Sequence, residues 1–221
     1  MDLASRAGAH AALGDERRLR IVDHLALGDQ TVAGLAEVSG MRGNLLAHHL
    51  DVLESAGLIE RLVSEGDHRR RYVSLCWDRL PSRLHHPMPD VRRVAFVCTH
   101  NSARSQFAAA LWEEKTGRDS ASAGSHPAGR VHPTAIRIAA EFGVDISTAR
   151  PSGYDSLPEN PDLMVSVCDR AFESGVPAAR TQVHWSVPDP VVTGTLKSFR
   201  SAFTEIASRV DHLIEQTAPG T

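Results

Sequence analysis

Cysteine is scarce in this chain: three residues, Cys76, Cys98 and Cys168, among 221. So few thiols, in an odd number, exclude the disulfide framework of a small secreted domain. Long apolar runs are missing as well. None approaches the roughly 18 to 20 residues that span a bilayer, and the N-terminal segment lacks the apolar stretch of a secretory signal. These absences exclude a membrane protein and predict a cytoplasmic chain with reduced thiols. A large excess of either charge is also lacking, with 24 basic residues against 27 acidic ones. Hydrophobic residues at 42% and charged residues at 23% exclude a disordered or fibrous chain. The length suits one or two domains, either able to bury a core.

Residues 81–92, PSRLHHPMPDVR, carry Pro81, Pro87 and Pro89 without apolar periodicity, which predicts an extended linker. The expected division is a first domain over 1–80, a linker over 81–92 and a second domain over 93–221. In the first, Leu19, Ile21, Val22 and Leu25 recur at helical spacing. Thr31 can cap a short helix that ends at Gly40, and Leu45, Leu46, Leu50 and Leu53 form an apolar stripe on the next one. A short helix, a glycine-containing turn and a second amphipathic helix predict a helix-turn-helix. LIERLVS and RRRYVSL, joined by EGDH, predict a hairpin after it. The second domain alternates strand and helix: VRRVAFVC, an alanine-rich helix, SAGSHP, HPTAIRIAAEFGV, DLMVSVCD and a last helix from Leu196 to about Thr217. That rhythm predicts an α/β fold with a mainly parallel sheet.

The strongest chemical signal is VAFVCTHNSARSQ, residues 94–106. Cys98 ends the apolar strand, Arg104 follows six positions later, and a helix begins where the loop finishes. The backbone N–H groups of Thr99, His100, Asn101, Ser102, Ala103, Arg104 and Ser105 can converge on a tetrahedral oxyanion, helped by the helix dipole. Arg104 adds a bidentate guanidinium clamp. The same field favours a thiolate nucleophile at Cys98. Ser105 can donate to that sulfur and Asn101 can brace the loop. A second element, HWSVPDPVV at 184–192, sets Asp189 between two prolines, a stiff loop suited to a general acid. The competing readings are a buried strand-end cysteine beside an unrelated arginine, and an ordinary acidic surface turn.

With these pieces in place, residues 92 to about 217 resemble the low-molecular-weight tyrosine phosphatase family, and within it the arsenate reductases. The resemblance rests on Cys98 through Gln106, SAGSHPAGRVHPTAIRIAAEFGVDIS, Val167-Cys168-Asp169, and Trp185 through Asp189-Pro190. Gln106 follows the reductases, since the phosphatases usually have proline there. The resemblance implies that the Cys98 thiolate attacks arsenate held by Arg104 and the loop amides while Asp189 protonates the departing oxygen. A second thiol then attacks Cys98, releases arsenite and leaves a disulfide for a cellular reductant. Cys168 stands where thioredoxin-coupled members carry their second cysteine, although a small buried strand-end residue is the competing reading.

Three departures limit the carry-over. Gly175 occupies the region of the third cysteine, Ala103 replaces a second loop cysteine, and alanine replaces the acid after Ser-Gln-x-Ala. The usual three-cysteine relay therefore cannot run. The alternatives are an external thiol donor (mycothiol, glutathione, or a glutaredoxin or thioredoxin system), resolution by Cys168 alone, poor turnover, or a pocket that only senses an oxyanion or redox state. A tyrosine phosphatase is a further alternative. No cofactor is expected to be resident. With 22 arginines to two lysines the composition fits a GC-rich genome, which makes mycothiol thinkable.

Residues 11–76 resemble the ArsR-type winged-helix repressors, through ALGDERRLRIVDHLALGDQTVAGLAEVSG, MRGNLLAHHLDVLESAGLIERL and the hairpin ending RRRYVSL. The resemblance implies operator DNA as partner and a homodimer through the N-terminal domain, with residues 3–13 available as a dimer helix. Arg42, Asn44, His48 and His49 are expected at or near the exposed face of the recognition helix, and Arg69, Arg70 and Arg71 against phosphates. The first 80 residues carry ten arginines against twelve acids, so the basic footprint is local. The family's Cys-x-Cys metal box is absent from Thr31-Val32-Ala33-Gly34-Leu35, and no other zinc spacing occurs, so no metal is expected. The fold expected overall is α/β, a winged helix-turn-helix followed by a phosphatase-like domain. The function expected is a DNA-binding regulator fused to an arsenate reductase.

Overall fold

The computed structural model describes residues 2–41, 43–80 and 91–217. The chain divides into one unit of residues 1–64 with 68–86 and another of 65–67 with 87–221. The expected linker lies almost wholly outside the described residues.

In the first unit, α1 (Leu3–Leu13), α2 (Glu16–Leu25), α3 (Val32–Ser39) and α4 (Gly43–Ser55) accompany an antiparallel sheet in the order β1 (Gln30–Thr31), β3 (Arg71–Leu75), β2 (Ile59–Val63). The helix starts are written in the sequence. Asp15 accepts from the N–H groups of Arg17 and Arg18, and Thr31 from that of Gly34, caps worth about 1 kcal/mol each. Gly40, at φ +67°, ends α3 in the left-handed region that favours glycine. Ile21, Val22 and Leu25 of α2, Leu35 of α3 and Leu46, Leu50 and Leu53 of α4 meet Val73 and Leu75 in one core. Leu19 and Leu45 do not join it and remain exposed. The expected hairpin is present, with Ile59 opposite Leu75 and Val63 opposite Arg71.

Cys76 follows β3 and is half-buried. Burial pushes its thiol up to about 11, and Glu60 and Asp78 add to the effect. The fold thus favours the neutral thiol. That contribution to stability is present below the ordinary thiol range and is lost as pH climbs through about 11. At pH 8 the native chain should alkylate at Cys76 on the order of a hundredfold more slowly than the urea-unfolded chain, one decade per pKa unit. Mass spectrometry of the Cys76 peptide after iodoacetamide measures this, and equal rates would contradict it.

The second unit is built on a parallel sheet in the order β5 (Ser120–Gly124), β4 (Val94–Cys98), β6 (Leu163–Ser166), β7 (Thr181–His184). Its helices are α5 (Arg104–Thr116), α6 (Pro133–Glu141) and α9 (Leu196–Thr217), with two short ones, α7 (Asp169–Glu173) and α8 (Pro190–Thr193). Every residue of β4 is buried, as expected of an unbroken apolar run in a sheet covered on both faces. The Phe96 ring lies 6.3 Å from Trp112 and 6.1 Å from Trp185, while Phe107 meets Phe203 edge-on at 5.0 Å and so ties α5 to α9. Parallel strands all end at the same edge of the sheet. Cys98, Cys168 and Trp185 therefore converge there, where open α/β sheets place their ligands.

Candidate active site

The loop after β4 turns its carbonyls outward. The N–H groups of Ser125 and His126 donate to the carbonyls of Cys98 and Thr99 at 3.2 and 2.8 Å, Ala128 to His100 at 2.9 Å, and His132 to Ser102 at 2.8 Å. The Asn101 N–H reaches the Cys98 sulfur at 3.1 Å, and the Ser105 hydroxyl lies at the same distance. The turn needs Asn101 at φ +48°, a left-handed conformation that asparagine tolerates. Its side chain then ties the loop together. Nδ2 donates to Ser105 Oγ (2.9 Å) and Ser122 Oγ (3.0 Å), and Oδ1 accepts from the N–H of Ser152 (2.9 Å). Gln106 Nε2 donates to both the carbonyl and Oδ1 of Asn101 at 3.1 Å. Asn101, Ser105 and Gln106 are all buried. The loop is thus a hydrogen-bonded unit that holds the Asn101 N–H on the Cys98 sulfur.

Arg104 opens α5 and is buried. Nη1 donates to the Val187 carbonyl at 2.8 Å, and Nη2 pairs with Asp189 Oδ2 at 2.9 Å. Burial opposes its charge, but Cys168, Asp189 and Cys98 outweigh that and hold its pKa above the ordinary arginine value. Asp189 caps α8, its Oδ1 accepting from the Val191 N–H at 3.0 Å. Cys168 is reached through the residue next to Cys98: the Thr99 hydroxyl lies 3.2 Å from its sulfur. Burial pushes the Cys168 thiol up, and negative charge at Cys98 adds to this against the pull of Arg104. Beneath it, His184 bridges Asp169 Oδ1 (3.0 Å) and Ser166 Oγ (2.8 Å) and stacks on Phe172. Burial alone raises the Asp169 pKa, and the hydrogen bond from His184 helps to bring it below the usual carboxylate range. Gly175, beyond α7, takes φ +95°.

Of the expected cradle residues, Asn101 and Ser105 therefore meet the Cys98 sulfur directly, with Asp189 on the Arg104 guanidinium and Cys168 beside Thr99. Gly124, Ser122, Ser152 and the Ser166–His184–Asp169 bridge were not singled out from sequence. For the first, the signal was present in the SAGSHP block, but nothing in its spacing pointed to the loop.

The family described as low molecular weight phosphotyrosine protein phosphatase matches residues 93–219, more than half of the chain. The chain belongs to this family. A second match, to the arsR family of bacterial regulatory proteins, covers residues 15–61. The arsenate reductase of Halalkalibacterium halodurans is 33% identical over 132 residues, 55% of this chain and 94% of that protein. The glutaredoxin arsenate reductase of Synechocystis sp. is 28% identical, over 56% of this chain and 97% of its own length. A solved arsenate reductase in the phosphate binding state aligns with a TM-score of 0.50 at 27% identity, covering 57% of this chain and 99% of that one. This member of the phosphatase family thus joins an ArsR-type DNA-binding region to an arsenate-reductase-like domain.

In the ArsR-type region, Asn44 and His48 are exposed on α4, and Arg69, Arg70 and Arg71 are exposed at the hairpin. Arg42 lies outside the described residues. His49 departs from expectation. It is buried, neither ring nitrogen has a hydrogen-bond partner among the described residues, and burial lowers its pKa. The reason is its spacing: three residues after Leu46 and four before Leu53, it falls on the inward stripe. A neutral imidazole is the form such a site accepts.

Proposed function

We propose that the phosphatase-like domain is a thiol-dependent arsenate reductase, joined to a dimeric transcriptional regulator that binds operator DNA through α4 and the β2–β3 hairpin. The observation that carries the enzymatic reading is the Cys98 sulfur, met by the Asn101 N–H and the Ser105 hydroxyl at 3.1 Å in a loop with its carbonyls tied back. In the chemistry proposed, the Cys98 thiolate attacks arsenic(V) and an arsenate oxygen leaves with a proton from Asp189. Arg104 and the loop amides hold the remaining oxygens. A second thiol then attacks the Cys98 sulfur. The electron pair of the sulfur–arsenic bond passes to arsenic, giving arsenite and one disulfide. The second thiol is Cys168 or an external donor, and mycothiol, glutaredoxin and thioredoxin are the candidates.

The test incubates the purified chain with arsenate and each donor, following arsenite release and the mass of the Cys98 peptide. Without donor a Cys98–arsenic adduct or a Cys98–Cys168 disulfide should accumulate, and at least one donor should support turnover. Cys168→Ser separates the routes: release survives if the external thiol resolves the adduct and falls to background if Cys168 does. Absence of both adduct and arsenite with every donor rejects the reductase in favour of a sensing pocket, the reading that the glycine at position 175 favours.

A further inference from the structure

The pocket cation has a partner that the phosphatase-like sequence does not supply. Residues Glu65–Asp67 belong to the second unit, separated in sequence from the rest of it. Glu65 Oε1 accepts from the Asp189 N–H at 2.8 Å, and Oε2 lies 3.5 Å from Arg104 Nη1. The main chain there is fixed on both sides. The Glu65 N–H donates to Asp169 Oδ2 at 2.7 Å, its carbonyl accepts from Arg170 Nε at 3.2 Å, and the Asp67 N–H donates to Glu173 Oε2 at 2.6 Å. Gly66 allows this close approach, because a Cβ there would stand 2.2 Å from the Glu173 carboxylate. Residues 65–67 are thus held by polar contacts to the acid loop, the pocket arginine and α7.

The charge balance around Arg104 is decisive. One guanidinium, with its side chain only 5% exposed, faces the carboxylates of both Asp189 and Glu65. A tetrahedral oxyanion brings further negative charge to the same cation. It is repelled by a carboxylate that already claims one of the guanidinium's nitrogens. Asp189 has a use in the proposed chemistry as proton donor. Glu65 has none.

We propose that Glu65 is an internal competitor for the oxyanion site, a carboxylate seated on Arg104 that an entering oxyanion must displace. This rests on the loop's being an oxyanion pocket. The two anions then oppose each other reciprocally: filling the loop loosens residues 65–67, and removing the carboxylate tightens oxyanion binding. The Glu65 side chain is 31% exposed, and Glu65→Gln keeps an acceptor for the Asp189 N–H, so that substitution is not expected to disturb the fold.

Calorimetric titration of the full chain with inorganic phosphate tests the proposal, using wild type, Glu65→Gln and Glu65→Ala. Both variants should bind phosphate on the order of tenfold more tightly, the usual size of a coupling between two sites. In the wild type, saturating phosphate should speed hydrogen exchange at the amides of Glu65 and Asp67. Phosphate affinity that is unchanged or weaker in both variants overturns the competitor and leaves the pocket intact. Failure of all three proteins to bind phosphate overturns the pocket as well.

Discussion

Cys98→Ser is expected to hold arsenite release below about a thousandth of the wild-type rate, a loss typical of removing a nucleophile. The loop should survive the change. A serine oxygen can accept from the Asn101 N–H and bond to Ser105 much as the sulfur does, both at 3.1 Å in the native chain. The loss therefore comes from chemistry. A hydroxyl is a far weaker acid and nucleophile than a thiol, and an oxygen bonded to arsenic cannot become half of a disulfide. Phosphate affinity should change little, because Arg104 and the amides remain. Steady-state arsenite release measured beside phosphate titration separates the two effects, and a serine variant with appreciable turnover would assign the reducing thiol elsewhere.

Gly124→Ala should damage binding, catalysis and stability together. Gly124 ends β5 opposite Cys98, and a Cβ there would stand 2.7 Å from the Thr99 carbonyl oxygen and 2.9 Å from the Asn101 nitrogen. Both are backbone atoms of the cradle and cannot swing aside as a side chain could. Overpacking of this kind costs about 1–3 kcal/mol, readable as a lower urea midpoint. A shift of the loop by about an ångström costs on the order of a hundredfold in rate. Substitution of Gly129, which has nothing within 4 Å of the added carbon, serves as the control.

Much of this site is legible in the sequence because its parts are local. An apolar strand ending in Cys98, five residues of loop and a helix opening at Arg104 form one continuous segment. The tying-back of the loop carbonyls by residues 125–132 is not local, and spacing alone cannot disclose it. β7 escapes detection because Thr181–His184 is four residues long, with its first two only partly buried or exposed, so no alternation develops. The helices α7 and α8, of five and four residues, are too short for a helical period to show. His49 is hidden for a different reason: its polarity argues for the surface, while its spacing sets it on the inward stripe between Leu46 and Leu53. Glu65 is 39 residues from Arg104, and no sequence pattern links them.

Gly175 has a consequence for how often the proposed reaction can run. A cysteine there would have to adopt φ near +95°, at a cost of about 1–3 kcal/mol, so the missing relay thiol cannot simply be restored at that position. Cys98 and Cys168 together hold two reducing equivalents, enough for one arsenate. With Cys168 as the second thiol of the proposed reaction, the chain left alone would behave as a fuse, firing once and staying oxidised until something outside reset it. Under steady arsenate, throughput would then follow the supply of reductant, and the fraction of spent protein would become a gauge of the thiol pool around it.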